Sequence, residues 1–284
     1  MNAPGPPTFR VACLQVNAGN DMAANIAAAT VLARNAASQG AHLVLMPENV
    51  AMMEWGRAAI TAKAMRETEH AALTAFRALA RELKLWLHCG SLAVLRDNGK
   101  VANRTYMVDP DGAVIASYDK IHMFDVDLGN GERYAESSTF EPGADLKWVD
   151  LPWGRLGLTI CYDLRFPHLY RRLAQAGADF LTVPSAFTQV TGEAHWHVLL
   201  RARAIETGCY MFAPAQTGTH AGNRKTYGHA LIVGPWGEVL ADAGTAPGVI
   251  LADIDPAQVA AARAKIPALA LDAPVFRFNK EPGA

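Results

Sequence analysis

The chain lacks an excess of either charge: 26 lysines and arginines stand against 27 acids in 284 residues. A nucleic-acid partner would ask for a clustered basic face, so that class is excluded. No apolar run reaches the roughly 18 residues that a membrane helix needs. The opening MNAPGPPTFR has no apolar core of a secretory signal. Cysteine is scarce, and its four copies, Cys13, Cys89, Cys161 and Cys209, lie far apart with no CxxC pair and no zinc-ligand spacing. A GxGxxG fingerprint and a phosphate loop are also missing. The expectation is a cytoplasmic protein with reduced thiols, no metal, no organic cofactor, and neither a nucleic-acid nor a membrane partner.

What is present is a pattern written twice. SQGAHLVLMPE at 38–48 is echoed by QAGADFLTVPS at 175–185, and YMVDPDGAVIASY at 106–118 by LIVGPWGEVLADA at 231–243. In the first pair a helix stops at glycine and a short apolar strand ends in proline. In the second, two β-rich runs flank an x-Pro-x-Gly turn, a hairpin signal. FRVACLQV (9–16) and RLGLTICY (155–162) read as strands, each leading to a helix, at about 21–38 and 166–176. Further amphipathic helices are expected at about 68–84 and 193–207. Right-handed crossovers put both helices of a half on one face of its sheet, leaving the other face to be covered by the sheet of the other half. The expected fold is therefore α/β, a four-layer α-β-β-α sandwich with internal pseudo-two-fold symmetry. It forms a single domain over 8–271, with a C-terminal tail at 272–284.

Functional groups in open α/β sheets gather at the carboxyl ends of strands. Glu48 follows Pro47 at such an end, where the second half has Ser185. Cys161 ends the strand RLGLTI next to an expected helix N-terminus, whose dipole and free N–H groups favour a thiolate. Lys120 follows a hairpin strand and opens KIHMFDVDLGNGERYAES, a long aperiodic segment of the functional kind, which also contains Glu136. A thiol, a carboxylate base and a fixed ammonium supply what nucleophilic amide hydrolysis needs, and the N–H of Tyr162 is a second oxyanion donor. A Cys–His arrangement is the competing design. His195 and His197 sit at i,i+2 on a helical pattern and diverge, whereas His122, beside Lys120, stays open. The other three cysteines read as small core residues.

PENV at Glu48, DKIHMFD at Lys120, YAES at Glu136 and CYDLRFPHLYR at Cys161 resemble the nitrilase superfamily of carbon–nitrogen hydrolases, and the resemblance runs from FRVACLQV to about residue 255. It implies the same sandwich and a Glu48–Lys120–Cys161 triad with Glu136 as a second acid. PSAFTQVTGEAHWHVLLRARAIETGCY and YGHALIVGPWGEVLADAG look most like the amidases acting on deaminated glutathione, with the omega-amidases acting on α-ketoglutaramate close behind. Another small-amide hydrolase or an N-carbamoyl amidase would share the catalytic residues and differ in the pocket. A non-catalytic interaction protein on this scaffold would not need the intact triad. The resemblance further implies a small carboxylate-bearing amide substrate, a thioester intermediate, and a homodimer or higher oligomer, with DAPVFRFN in the tail as an exchange segment. Arg165 is expected to grip the substrate carboxylate, the alternative being an ion pair with the neighbourhood of Glu48 or with Asp163 that holds the elbow rigid, and Tyr162 and His195 are expected nearby. His197 departs from the branch pattern, where Glu is common.

Overall fold

In the computed structural model, which describes residues 7–129 and 131–271, the repeat becomes two sheets built to one plan. The expected interface tail, 272–284, lies outside the described residues. The first half comprises β1 (Phe9–Val16), α1 (Met22–Ser38), β2 (Leu43–Leu45), α2 (Arg57–Lys63), α3 (Ala71–Leu83), β3 (Trp86–His88), β4 (Leu92–Leu95), β5 (Val101–Val108) and β6 (Val114–Asp119). A small ribbon of β7 (Asp125–Asp127) and β8 (Arg133–Ala135) follows. The second half begins with β9 (Lys147–Leu151), β10 (Gly154–Leu158), α4 (Pro167–Gln175), β11 (Phe180–Thr182) and α5 (Gln189–Thr207). It continues with β12 (Tyr210–Ala213), β13 (Ala215–Thr219), β14 (Lys225–Tyr227), β15 (Leu231–Val233), β16 (Val239–Asp242), β17 (Gly248–Ile254) and α6 (Ala257–Lys265).

Parallel triplets β1–β2–β3 and β10–β11–β12 each continue into an antiparallel hairpin, β5–β6 and β15–β16. Each triplet also has an antiparallel strand on its other flank, β17 on β1 and β9 on β10. Even the irregularities recur: the hairpins shift register at Met107/Val108 and at Ile232/Val233. Both shifts stand next to the x-Pro-x-Gly turns, whose Gly112 and Gly237 take φ of 78° and 88°, a region that residues with a Cβ avoid.

Strand alternation builds the layers. Val11 and Cys13 of β1 join Leu156 and Leu158 of β10 and Phe180 of β11 in one buried cluster, the sheet-to-sheet core. Phe9 stacks on Trp153 across it, with ring centroids 4.3 Å apart. Ala12 and Leu14 point the other way, against Ala29 and Ala33 of α1 and Phe76 and Leu79 of α3. On the far side, Leu169 and Leu173 of α4 and Trp196 and Leu200 of α5 cover the second sheet. The order α-β-β-α follows.

Three details differ from the sequence expectation. The α5 helix starts at Gln189 because the Thr188 side chain caps it, accepting from the Thr191 N–H. Strand β10 stops at Leu158, short of the expected 155–162, and Cys161 opens a 3-10 turn, Cys161–Arg165, ahead of the α-helix that starts at Pro167 as expected. After β12 the chain passes Pro214 and crosses to the other sheet, where β13 pairs in parallel with the end of β1.

Candidate active site

Four expected residues meet at the carboxyl ends of the strands. Glu48 leaves β2 on a corner whose next residue, Asn49, has φ of 55°, and Cys161 itself has φ of 50°. Such left-handed non-glycine residues persist only where the surroundings hold them. The Asn49 corner is held by Asn49 N–H donating to Ser91 Oγ (3.0 Å) and by Gln216 Nε2 donating to the Glu48 carbonyl (2.9 Å). Gln216 lies on β13, so the crossing strand braces the Glu48 corner of the first sheet. The Cys161 turn is held by Asp163, which is fully buried. Its carboxylate accepts from Ile160 N–H (2.9 Å), His122 N–H (3.1 Å) and Tyr118 O–H (2.7 Å), and meets His122 Nδ1 at 2.7 Å.

Lys120 is 2% exposed and Glu48 likewise 2%. Lys120 Nζ donates to Glu48 Oε1 (2.9 Å) and to both oxygens of Glu136 (3.0 and 2.9 Å). Glu48 Oε2 accepts from the Ala186 N–H (2.9 Å), and the Glu48 carboxylate lies near enough to the Cys161 thiol for each to shift the other's titration. Glu136 is anchored by the Phe124 N–H (2.6 Å). Asn103 of β5 bridges the two acids, its Nδ2 lying 2.9 Å from Glu48 and 3.3 Å from Glu136. The Cys161 N–H goes to the Pro184 carbonyl (3.0 Å), and the Tyr162 N–H makes no hydrogen bond to another described residue.

Two carboxylates and one ammonium leave a buried cluster with a single net negative charge, so a thiolate would add a second. Burial first, and then the Glu48 charge, accordingly push the Cys161 thiol above its ordinary range, despite Lys120. Burial alone would raise the Glu48 carboxyl; Lys120 first, then the Cys161 thiol and the Arg224 charge, outweigh it and hold the group below its ordinary value. Burial likewise opposes the Lys120 charge, but Glu136 and Glu48 more than offset it and raise its pKa. The resting pair is therefore a thiol beside a carboxylate. The α-helix that follows begins at Pro167, where the sequence placed it, and its N-terminus does not overcome the burial of the thiol and the Glu48 charge.

Cys161, Glu48, Lys120, Glu136 and Tyr162 line one cavity of about 280 Å³. Its walls carry the aromatic rings of Trp55, Phe124, Tyr134 and Phe187 and three arginines, Arg57, Arg133 and Arg224. Arg165 and His195 are not among its lining residues. They face each other, Arg165 Nη1 to His195 Nδ1 at 3.2 Å, with the guanidinium 5.3 Å from the Phe187 ring. His122 belongs to the Asp163 grip. His197 contacts Asp242 at 3.0 Å, away from the cavity lining. Sequence reading missed Asn103 and Arg224. A lone Asn in the apolar strand VANRTYMV is a usable signal, since a buried amide needs partners. Arg224 lies in an aperiodic loop and gives none.

The sequence profile described as carbon-nitrogen hydrolase matches residues 10–264. The chain is 42% identical over 267 residues to a deaminated glutathione amidase of Synechocystis sp., covering 92% of this chain and 97% of that protein. Among solved structures, the C. elegans NitFhit protein superposes with a TM-score of 0.89 at 35% identity, covering 95% of this chain and 66% of that one. A mutant amidase from Nesterenkonia sp., solved with the acetamide moiety of fluoroacetamide covalently added at its active-site cysteine, superposes with a TM-score of 0.78 at 28% identity. That match covers 91% of this chain and 95% of the amidase.

Proposed function

This chain belongs to the carbon–nitrogen hydrolase family, and we propose that it is a cysteine amidase whose substrate is deaminated glutathione. The observation that carries the reading is the Cys161 thiol beside a buried carboxylate that is itself held by Lys120, on the wall of a cavity wide enough for a small amide. As sulfur attacks the amide carbonyl, the thiol proton passes to Glu48. Negative charge moves to the carbonyl oxygen, where the Lys120 ammonium and the Tyr162 N–H stabilise it. Collapse breaks the C–N bond, and the amine leaves with the proton from Glu48. A water then gives a proton to Glu48 and attacks the thioester, and that proton returns to sulfur as the acid departs. Glu136 and Asn103 keep Lys120 and Glu48 in register and do not carry protons.

Substrate choice follows from charge. Lys120 is already held by Glu48 and Glu136, so a carboxylate on the substrate needs a further cation on the cavity wall. Arg224 suits this role. Its Nη2 is anchored on the Ala186 carbonyl (2.7 Å), its plane lies 5.5 Å from the Tyr134 ring, and its buried Nε has no partner. Deaminated glutathione, an α-keto acid joined through its ω-amide to cysteinylglycine, carries a carboxylate at each end and an extended middle for the aromatic walls. The smaller α-ketoglutaramate leaves much of such a cavity unfilled. The described residues include no helix long and apolar enough to cross a membrane; a cytoplasmic setting and a homo-oligomer complete the proposal.

The test compares kcat/KM on deaminated glutathione, α-ketoglutaramate and a neutral amide for the wild type and Arg224→Gln. Deaminated glutathione should be the best substrate, and the variant should raise KM for the two acids by about tenfold or more while changing the neutral amide by less than about threefold. Preference for α-ketoglutaramate would reassign the enzyme as an omega-amidase. Equal losses on charged and neutral amides would remove Arg224 from substrate recognition.

A further inference from the structure

Away from the cavity, three ligating side chains converge between α5 and the β15–β16 hairpin. His197 comes from α5, His229 precedes β15, and Asp242 ends β16. Their ligand atoms all lie within 4.8 Å of one another. His197 Nε2 is 3.0 Å from Asp242 Oδ2, and His229 Nδ1 is 2.9 Å from Oδ1 and 3.2 Å from Oδ2. We propose that these residues bind a divalent transition metal ion, with Zn²⁺ as the representative, and that the ion clamps α5 to the hairpin.

The donor set selects the metal class. Two imidazoles and one carboxylate suit zinc, copper, nickel or cobalt, whereas calcium and magnesium take oxygen ligands. The spacing fits as well. Zinc bonds of about 2.0–2.1 Å at tetrahedral angles put ligand atoms roughly 3.3 Å apart. The His–Asp separations already stand near that value, and the nitrogens need approach only modestly.

The surroundings hold the donors still. Asp242 Oδ1 also accepts the Gly244 N–H (2.8 Å), which orients the carboxylate as an outer-shell partner does at metal sites. The His229 backbone is left-handed, φ 55°, and its carbonyl accepts Trp196 Nε1 at 2.7 Å. Trp196 precedes His197 on α5, so a separate bond ties together the two chain segments that supply the histidines. The Tyr227 ring stacks on His229 at 4.4 Å and 23° and shields one side of it. The three side chains are 22–33% exposed, which leaves coordination positions open to water and lets the ion exchange.

The test uses the full chain carrying Cys161→Ser, so that the active-site thiol does not compete as a ligand. After chelation and dialysis, Zn²⁺ is titrated calorimetrically and Co²⁺ by its visible absorption. One equivalent should bind, and Tm should rise with metal concentration as linkage requires. His197→Gln, on an accessible helix face, should weaken binding by at least about tenfold and abolish the Tm shift while leaving metal-free Tm nearly unchanged. Asp242→Asn should act in the same direction. Absence of stoichiometric uptake, or equal affinity in His197→Gln, overturns the site.

Discussion

At Glu48, donors from three different elements converge on one carboxylate: Lys120 beyond β6, Asn103 on β5 and the Ala186 N–H beyond β11. Charge-assisted hydrogen bonds of this kind offset the penalty of burying the ion. Because the folded pKa lies below the ordinary value of 4.5, the ionised form is favoured by the fold. That contribution is complete above the unfolded pKa and is lost as pH falls through the folded one. The Lys120 shift has the opposite sign, so its contribution is complete below 10.5 and is lost as pH rises through the folded value. The acid limb of kcat/KM, set by protonation of Glu48 in the free enzyme, should therefore lie below 4.5. Near neutral pH the ultraviolet thiolate band, taken as wild type minus Cys161→Ala, should be absent and should emerge only in strong alkali. An acid limb near pH 6, or thiolate absorbance at about pH 7, would refute the resting thiol–carboxylate pair.

At the scale of elements, the short turn Cys161–Arg165 decides where sulfur points, and one side chain fixes that turn. Asp163 satisfies two backbone N–H groups and the Tyr118 hydroxyl from a fully buried position, linking the elbow to β6 and to the loop after Lys120. Asp163→Ala strands those donors without water. Each buried donor left unpaired costs roughly 1–3 kcal/mol, so a total loss of at least about 3 kcal/mol is expected. Urea unfolding checks the loss, and kcat measured well below the new Tm should also fall by at least about tenfold, because the nucleophile is no longer aimed. Stability lost with kcat intact would mean that the elbow keeps its shape through Pro184 alone.

Across the whole molecule, chemistry and packing occupy opposite ends of the strands. Glu48 and Cys161 follow the last residues of β2 and β10, whereas Phe9 starts β1 and stacks on Trp153 between the sheets. Phe9 also meets Phe180 edge-on at 5.3 Å, so this aromatic group joins both sheets far along the strands from the cavity. Trp153→Ala should cost about 3–5 kcal/mol by denaturant midpoint, the usual range for removing a buried large aromatic. With no shared partners, kcat/KM of the folded fraction should stay within about twofold. A parallel fall in kcat/KM would show that the sheet spacing governs the site.

The sequence by itself determined the repeat and the layers and singled out four candidate residues that the fold brings together, since these follow from alternation, turn signals and the ends of strands. Glu48, Lys120, Glu136 and Cys161 each stand where a periodic pattern breaks, and a broken pattern is visible along the chain. Tertiary structure alone decided what acts between distant segments. Asn103 reaches Glu48 and Glu136, β13 crosses to brace the Glu48 corner, Arg224 faces the cavity in place of Arg165, and His197 meets Asp242. The protonation of the nucleophile belongs with these. Local sequence puts a helix N-terminus near Cys161, an influence toward the thiolate, whereas burial and the Glu48 charge work the other way and push the thiol up. Chain order records neighbours along the backbone, but electrostatics depends on distance through space and on exclusion of water, and only the folded chain sets both.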